Sequence, residues 1–270
     1  MIPYINMAPY RQLGPPSRCR FVSLIPKKSI EALQKGHVVA AAVPVGGLPV
    51  IAKIVEPLGK FGIAAKKESM SVMFFSDRAF DKMDRTCTIH LTADSATSVR
   101  LLYLLWVKIL GGANLPRLAA QNASFNGELL IGDQALQRAV KINGWGRLDS
   151  DSVGHKKELL PVVTDLAAVW HAIYKLPFVF ARWVVRRDAP PTVKRILLDW
   201  LEAFRHKEAT LVDACIEPTA QILKVDASVT ERYFKTIKRC LDDGHLLGQE
   251  RFLSEYQKVK RDPLFKMDRY

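Results

Sequence analysis

Thr88-Ile89-His90-Leu91-Thr92-Ala93-Asp94-Ser95-Ala96-Thr97-Ser98-Val99-Arg100-Leu101-Leu102-Tyr103-Leu104-Leu105-Trp106 decides the fold class. A short β-rich run ends at Leu91. A cluster of small hydroxyl and acidic residues follows, and then a helical stripe carrying Val99, Leu102, Leu105, Trp106, Ile109 and Leu110 on one face. Gly111-Gly112 stops the helix. A strand that runs through a polar turn into an amphipathic helix is the repeating unit of an α/β sheet.

The same unit recurs on both sides. Ile2–Ile5 and Arg20–Ile25 read as strands, Ser29–Lys35 as a helix stopped at Gly36, and Val38–Val43 as a buried strand that turns at Gly46-Gly47. Ser71–Phe75 and Leu129–Ile131 are further strands, the second running into a helix at Gly132-Asp133. Residues 141–158 read as an exposed excursion, and Leu160–Val163 and Val179–Val185 flank a helix from Asp165 to Tyr174. The alternation predicts a largely parallel sheet with helices on both faces. Beyond Pro190-Pro191 the pattern is helical only. One helix runs from Pro191 to Phe204, one is opened by the capping box Ser228-Val229-Thr230-Glu231, and one covers Gln249–Lys260.

Composition narrows the class. The chain has 270 residues, of which 49% are hydrophobic and 25% charged, enough for one large core or two smaller ones. The longest apolar run, near Val99–Leu110, is interrupted by Arg100 and Lys108, so no membrane span is expected. No signal-peptide pattern opens the sequence, and four scattered cysteines without a C-x-x-C pair point to reduced thiols; the expectation is a cytoplasmic protein. The six histidines are dispersed as well, so neither a metal site nor a cofactor is expected. The net charge of +13 is spread over pairs such as Lys27-Lys28, Lys66-Lys67 and Arg186-Arg187. That suits a solvated surface and a small anionic ligand better than nucleic acid. Nothing in the sequence fixes an oligomeric state.

Three strand ends carry polar residues. At the first turn of the Ala96 helix, unpaired amides and the hydroxyls of Thr97 and Ser98 would suit a carboxylate, with plain capping by Asp94 or Ser95 as the alternative. Asn6 follows the first strand, where ligands of open α/β sheets collect, or serves as a turn residue. Gly132 allows a close approach to a ligand, while Asp133 suits either a ligand contact or the cap of its helix. Ser71 either faces a cleft or ends a strand. No Walker, G-x-S-x-G or H-E-x-x-H motif is present, and none of these polar groups is an obvious base.

Leu130-Ile131-Gly132-Asp133-Gln134-Ala135-Leu136, Asp165-Leu166 with Trp170, and Leu176-Pro177-Phe178-Val179-Phe180-Ala181-Arg182-Trp183 resemble, in order and spacing, the chorismate dehydratase family of futalosine-pathway menaquinone biosynthesis. Ile2-Pro3-Tyr4-Ile5-Asn6, Ser71-Val72-Met73-Phe74-Phe75-Ser76 and Ser95-Ala96-Thr97-Ser98-Val99 add to the resemblance. It implies a two-lobed type II periplasmic-binding-protein-like fold with a helical C-terminal extension. Residues 1–76 and 182–270 would form lobe 1 and residues 77–181 lobe 2, with the ligand cleft between them. It also implies a lyase that removes water from chorismate to give 3-[(1-carboxyvinyl)oxy]benzoate. Asn6 and Ser71 would be catalytic, and Thr97, Ser98, Gly132 and Asp133 substrate-binding.

Departures from the family pattern are the purely apolar Pro44-Val45-Gly46-Gly47-Leu48, the lack of an acidic residue near Val39, Lys175 in place of Gly, and a first strand that begins at Met1. Two alternatives share the fold: a non-catalytic carboxylate-binding protein, and a dihydroxynaphthoate-synthase-like enzyme, which would need a histidine in the cleft.

Overall fold

The computed structural model describes residues 1–120, 123–143 and 160–260. Two sheets organise it. The first contains β1 (Ala40–Pro44), β2 (Val55–Ala65), β8 (Phe178–Arg186) and β9 (Ile237–Cys240), in the order β1-β8-β2-β9. The second contains β3 (Val72–Ser76), β4 (Thr88–Leu91), β5 (Arg117–Leu118), β6 (Gly127–Ile131) and β7 (Val162–Asp165), in the order β5-β4-β6-β3-β7. The helices are α1 (Ala8–Leu13), α2 (Pro26–Gln34), α3 (Leu48–Ile51), α4 (Ala96–Leu110), α5 (Gly132–Asn143), α6 (Leu166–Tyr174), α7 (Pro191–Leu223), α8 (Ala227–Thr236) and α9 (Asp243–Lys260).

The expectation of a largely parallel sheet is corrected. Every pair in the first sheet is antiparallel, and in the second only β4 with β5 and β4 with β6 run parallel. The alternation of strands and helices suggested that neighbours in sequence pair with each other. Instead β8 returns late in the chain and inserts between β1 and β2. The 11-residue β2 has no clean alternation because Pro57, Gly59 and Gly62 interrupt it, and its register slips between Pro57 and Gly62. β9 overturns the reading of an all-helical C-terminal part. It directly follows α8, and its Lys238 and Arg239 hide the strand signal.

Ile2–Ile5 and Arg20–Ile25 form no strand. The first leads into a 3-10 turn, Ile5–Met7, and the two segments touch through the Met1 amino group on the Val22 carbonyl (2.5 Å) and the Leu24 amide on the Met1 carbonyl (3.0 Å). α7 runs well past Phe204, because Val212, Cys215, Ala220 and Leu223 extend its buried stripe. α8 is capped by Asp226, whose carboxylate accepts from the Ser228 amide at 2.7 Å, and not by Ser228 itself. α9 begins at Asp243, six residues before Gln249. Of the excursion expected at 141–158, only residues 141–143 fall among the described residues, as the end of α5.

The strands divide at residues 66–71 and 166–177. β3, which the expected lobe boundary placed with the first lobe, pairs in the five-stranded sheet, and residues 178–181 pair in the four-stranded one. The two crossovers meet at Asp165. Its carboxylate accepts from the Ser69 amide (2.8 Å), the Ser69 hydroxyl (3.1 Å) and the Met70 amide (2.8 Å) on one side, and from the Ala167 (2.9 Å) and Ala168 (3.2 Å) amides at the start of α6 on the other. The residue as a whole is partly exposed, but these donors enclose its carboxylate. Burial pushes that carboxyl above its ordinary range, against the pull of the donors.

Candidate functional site

A narrow cleft of about 50 Å³, lined from both sheets, opens between them. Asn6, Ser71, Ser95 and Ser98 supply its polar wall, with Gly132 beside them and Ile63, Ile131 and Phe180 among its apolar lining. No lysine or arginine lines it among the described residues.

The segment that brings Ile2, Tyr4 and Asn6 to this cleft has no place in either sheet, yet its backbone groups need partners. Side chains provide them. Arg11 donates to the carbonyls of Ile2 (3.1 Å) and Tyr4 (2.9 Å), Arg239 donates to that of Asn6 (3.0 Å), and Asp133 accepts from the Ile5 amide (3.0 Å). The Tyr4 hydroxyl reaches Asp94, just before α4, at 2.9 Å. Burial first, and then this carboxylate, push the Tyr4 phenol upward, so it stays a neutral donor. Asn6 is thereby fixed with its Oδ1 buried and without a hydrogen-bond partner among the described residues. A buried acceptor in that state is costly unless a ligand or a water supplies a donor.

Ser71 stands just before β3 and is buried; its hydroxyl donates to the Ser69 carbonyl and receives the hydroxyl of the wholly buried Tyr233, both at 3.3 Å. At α4 the N-cap is Ser95, whose hydroxyl oxygen accepts from the Ser98 amide (3.2 Å) and from the Ser98 hydroxyl (3.1 Å). Capping and cleft lining therefore coincide in the same two serines. Gly132 opens α5 at φ 65°, a left-handed conformation, and an added Cβ there would lie 2.8 Å from the Tyr4 ring.

Two residues expected at the ligand are placed elsewhere. Thr97 is fully buried and its Oγ1 accepts from the Gly46 amide at 3.0 Å, while Arg100, one turn further along α4, donates to the Gly46 carbonyl. Thr97 thus ties the turn after β1 to α4 and does not line the cleft. The helical stripe covers only part of what α4 buries, since Leu101, Tyr103 and Leu104 are buried off it and Ile109 on it is exposed, and it gave no sign that a glycine from the turn after β1 would meet that hydroxyl. Asp133 also stays outside the lining. It holds Ile5, and burial raises its carboxyl despite that amide and Arg11. Sequence reasoning missed Tyr4, Arg11, Tyr233 and Arg239, because their partners are backbone carbonyls, a distant serine or, for Tyr4, an aspartate 90 residues away, which no local pattern announces.

The contact at Gly46 is close. A Cβ there would stand 3.1 Å from Arg100 Cδ and 3.2 Å from Thr97 Cα. Gly46→Ala is expected to force the turn away from α4 and cost about 1–3 kcal/mol, as overpacking does. Thermal unfolding measures the loss. An unchanged melting temperature would show that the two elements part freely.

An α/β protein whose two sheets are joined by crossovers and enclose a cleft between them has the architecture of the periplasmic-binding-protein fold. Solved structures with that fold match nearly the whole chain. Protein AF1704 from Archaeoglobus fulgidus is 13% identical with a TM-score of 0.62, covering 96% of each chain. The Candida albicans CA3427 product, described as having the generic periplasmic binding protein fold, is 13% identical with a TM-score of 0.56, covering 97% of this chain and 90% of that one. The aliphatic sulphonate binding protein SsuA of Escherichia coli is 14% identical with a TM-score of 0.55, covering 94% and 88%. In sequence, the chain belongs to the menaquinone biosynthesis family, which matches residues 1–258. It is 28% identical over 204 residues to the chorismate dehydratase of Thermus thermophilus, covering 72% of this chain and 71% of that one.

Proposed function

We propose that this chain is a chorismate dehydratase, and that its two sheets are the cores of two lobes that close on the substrate. The observation that carries the reading is the chemistry of the cleft. Its polar groups are an amide, hydroxyls and a helix start, which hold and orient an anion without transferring protons at neutral pH.

The reaction suits such a site. The C3 proton of chorismate is lost, the C4–oxygen bond breaks, hydroxide leaves as water, and the ring becomes aromatic. The ring carboxylate, conjugated with the diene, acidifies C3, and the enolpyruvyl carboxylate can take the proton within the substrate. The protein's share is to fix one conformation and exclude water. In this reading Ser95, Ser98 and the start of α4 hold one carboxylate. Asn6 and Ser71 orient the reacting edge, with the Asn6 Oδ1 accepting from the substrate hydroxyl. Gly132 lets the ligand approach its backbone, and Thr97 and Asp133 serve by shaping the cleft. No histidine lines the cleft among the described residues, which disfavours a mechanism of the dihydroxynaphthoate-synthase type. Among those residues no helix is long and apolar enough to cross a membrane. The four unpaired cysteines fit a reducing compartment, and we place the protein in the cytoplasm.

Incubation of the protein with chorismate, with the product identified by mass and NMR, tests the reading. Formation of 3-[(1-carboxyvinyl)oxy]benzoate is expected. Chorismate that binds but stays intact would leave a binding protein in its place. Ser98→Ala should weaken substrate binding by about 1–3 kcal/mol, as loss of a hydrogen bond to a charged group does. Calorimetric titration reads this, and a lost melting temperature with full affinity would reduce Ser98 to a cap.

A further inference from the structure

Arg239 is among the most deeply buried large side chains of the molecule, at 1% exposure, on the edge strand β9. An apolar residue would fill that place at far lower cost than a guanidinium. The charge is not spent on a close ion pair. Glu208 on α7 is 3.5 Å from Nη1, which also faces the carbonyls of Ile237 (3.3 Å) and Phe234 (3.4 Å). The Phe234 ring lies 5.4 Å from the guanidinium carbon. These contacts fix the plane of the group. Its shortest hydrogen bond, from Nε, goes to the Asn6 carbonyl at 3.0 Å.

Asn6 lies in the 3-10 turn Ile5–Met7, which has no side-chain cap and no strand partner. Arg11 holds the carbonyls upstream, at Ile2 and Tyr4, but does not reach this one. We propose that Arg239 is a positioning residue for Asn6, clamping its backbone from behind so that the amide side chain is aimed into the cleft. Arg239 does not line the cleft and acts only through Asn6. The role rests on Asn6 orienting the substrate, as in the reading above.

A double-mutant cycle tests it, with Arg239→Met, Asn6→Ala and the pair compared for turnover of chorismate. Arg239→Met alone should lower kcat about 10- to 100-fold, since a misplacement near 1 Å costs that much, with KM changed less than about 3-fold. In the Asn6→Ala background the same change should lower kcat less than about 2-fold. Arg239→Lys, which keeps the charge beside the turn, should recover part of the loss. An equal fall in both backgrounds, or a lowered melting temperature with kcat intact, overturns the proposal. A crystal structure of Arg239→Met gives a second readout that needs no turnover. A displaced Asn6 side chain supports the clamp, and an unmoved one refutes it. If the unaltered protein leaves chorismate untouched, the functional reading fails separately, and the crystal structure still decides the clamp.

Discussion

Asn6→Ala should lower chorismate turnover by about 10²-fold or more, because it removes a group whose work is orientation. The amide cannot act as a conventional base near neutral pH, so its effect is that of a hydrogen bond and a shape. Asn6→Asp makes the sharper comparison. It keeps the size but sets a carboxylate beside a dianionic substrate, in a cleft without a lining cation among the described residues, and repulsion should weaken binding. Steady-state kinetics on the two variants separate the ideas. If Asn6→Asp turned chorismate over faster than the parent, the cleft would want a protein base and the substrate-driven mechanism would be wrong. If neither variant changed the rate, Asn6 would be only a turn residue.

Asp165→Ala should be the most destabilising single change of those considered, at about 3–5 kcal/mol. It removes the acceptor shared by Ser69, Met70, Ala167 and Ala168, and leaves backbone donors in a confined place without partners. Met70 also sits at φ 56°, a left-handed conformation that an ordinary side chain adopts only when held there. Without the carboxylate that hold is lost at the point where both crossovers meet. Asp165→Asn, which keeps one acceptor oxygen, should lie between the parent and the Ala variant. Urea unfolding measures both. A loss below about 1 kcal/mol for Asp165→Ala would mean that water replaces the carboxylate.

Much of the architecture was legible because α4, α5, α6 and most of the short strands have strong local patterns. Thr88–Leu91 running into a capped, striped helix needed no distant contact to be read. The pairing directions were not legible. β8 lies between β1 and β2 through contacts far apart in sequence, and periodicity reports which residues are buried, not against which strand. Ile2–Ile5 is apolar enough for a strand, yet its carbonyls go to arginines and it forms none. Asn6, Ser71, Ser98 and Gly132, singled out by their places at the ends of strands and the start of a helix and by the family resemblance, all line the candidate cleft. Thr97 and Asp133 share that position in the chain. Their side chains were claimed instead by Gly46 and by the Ile5 amide, neighbours that only the folded chain supplies.

The pairing of β1 with β8 has a consequence for the order in which the molecule is built. All five strands of the second sheet lie between residues 72 and 165, so that sheet has its full set of strands while the ribosome is still making the rest. The first sheet must wait: Ala40 pairs with Val185, and Phe61 with Cys240, each made well over a hundred residues later. Contacts of such long sequence separation form slowly. Asn6 waits longer still, since the guanidinium that holds its carbonyl is made 233 residues later. A chain stopped short of Arg239 would therefore have every strand of the five-stranded sheet but lack α9, which completes its core, and a finished cleft.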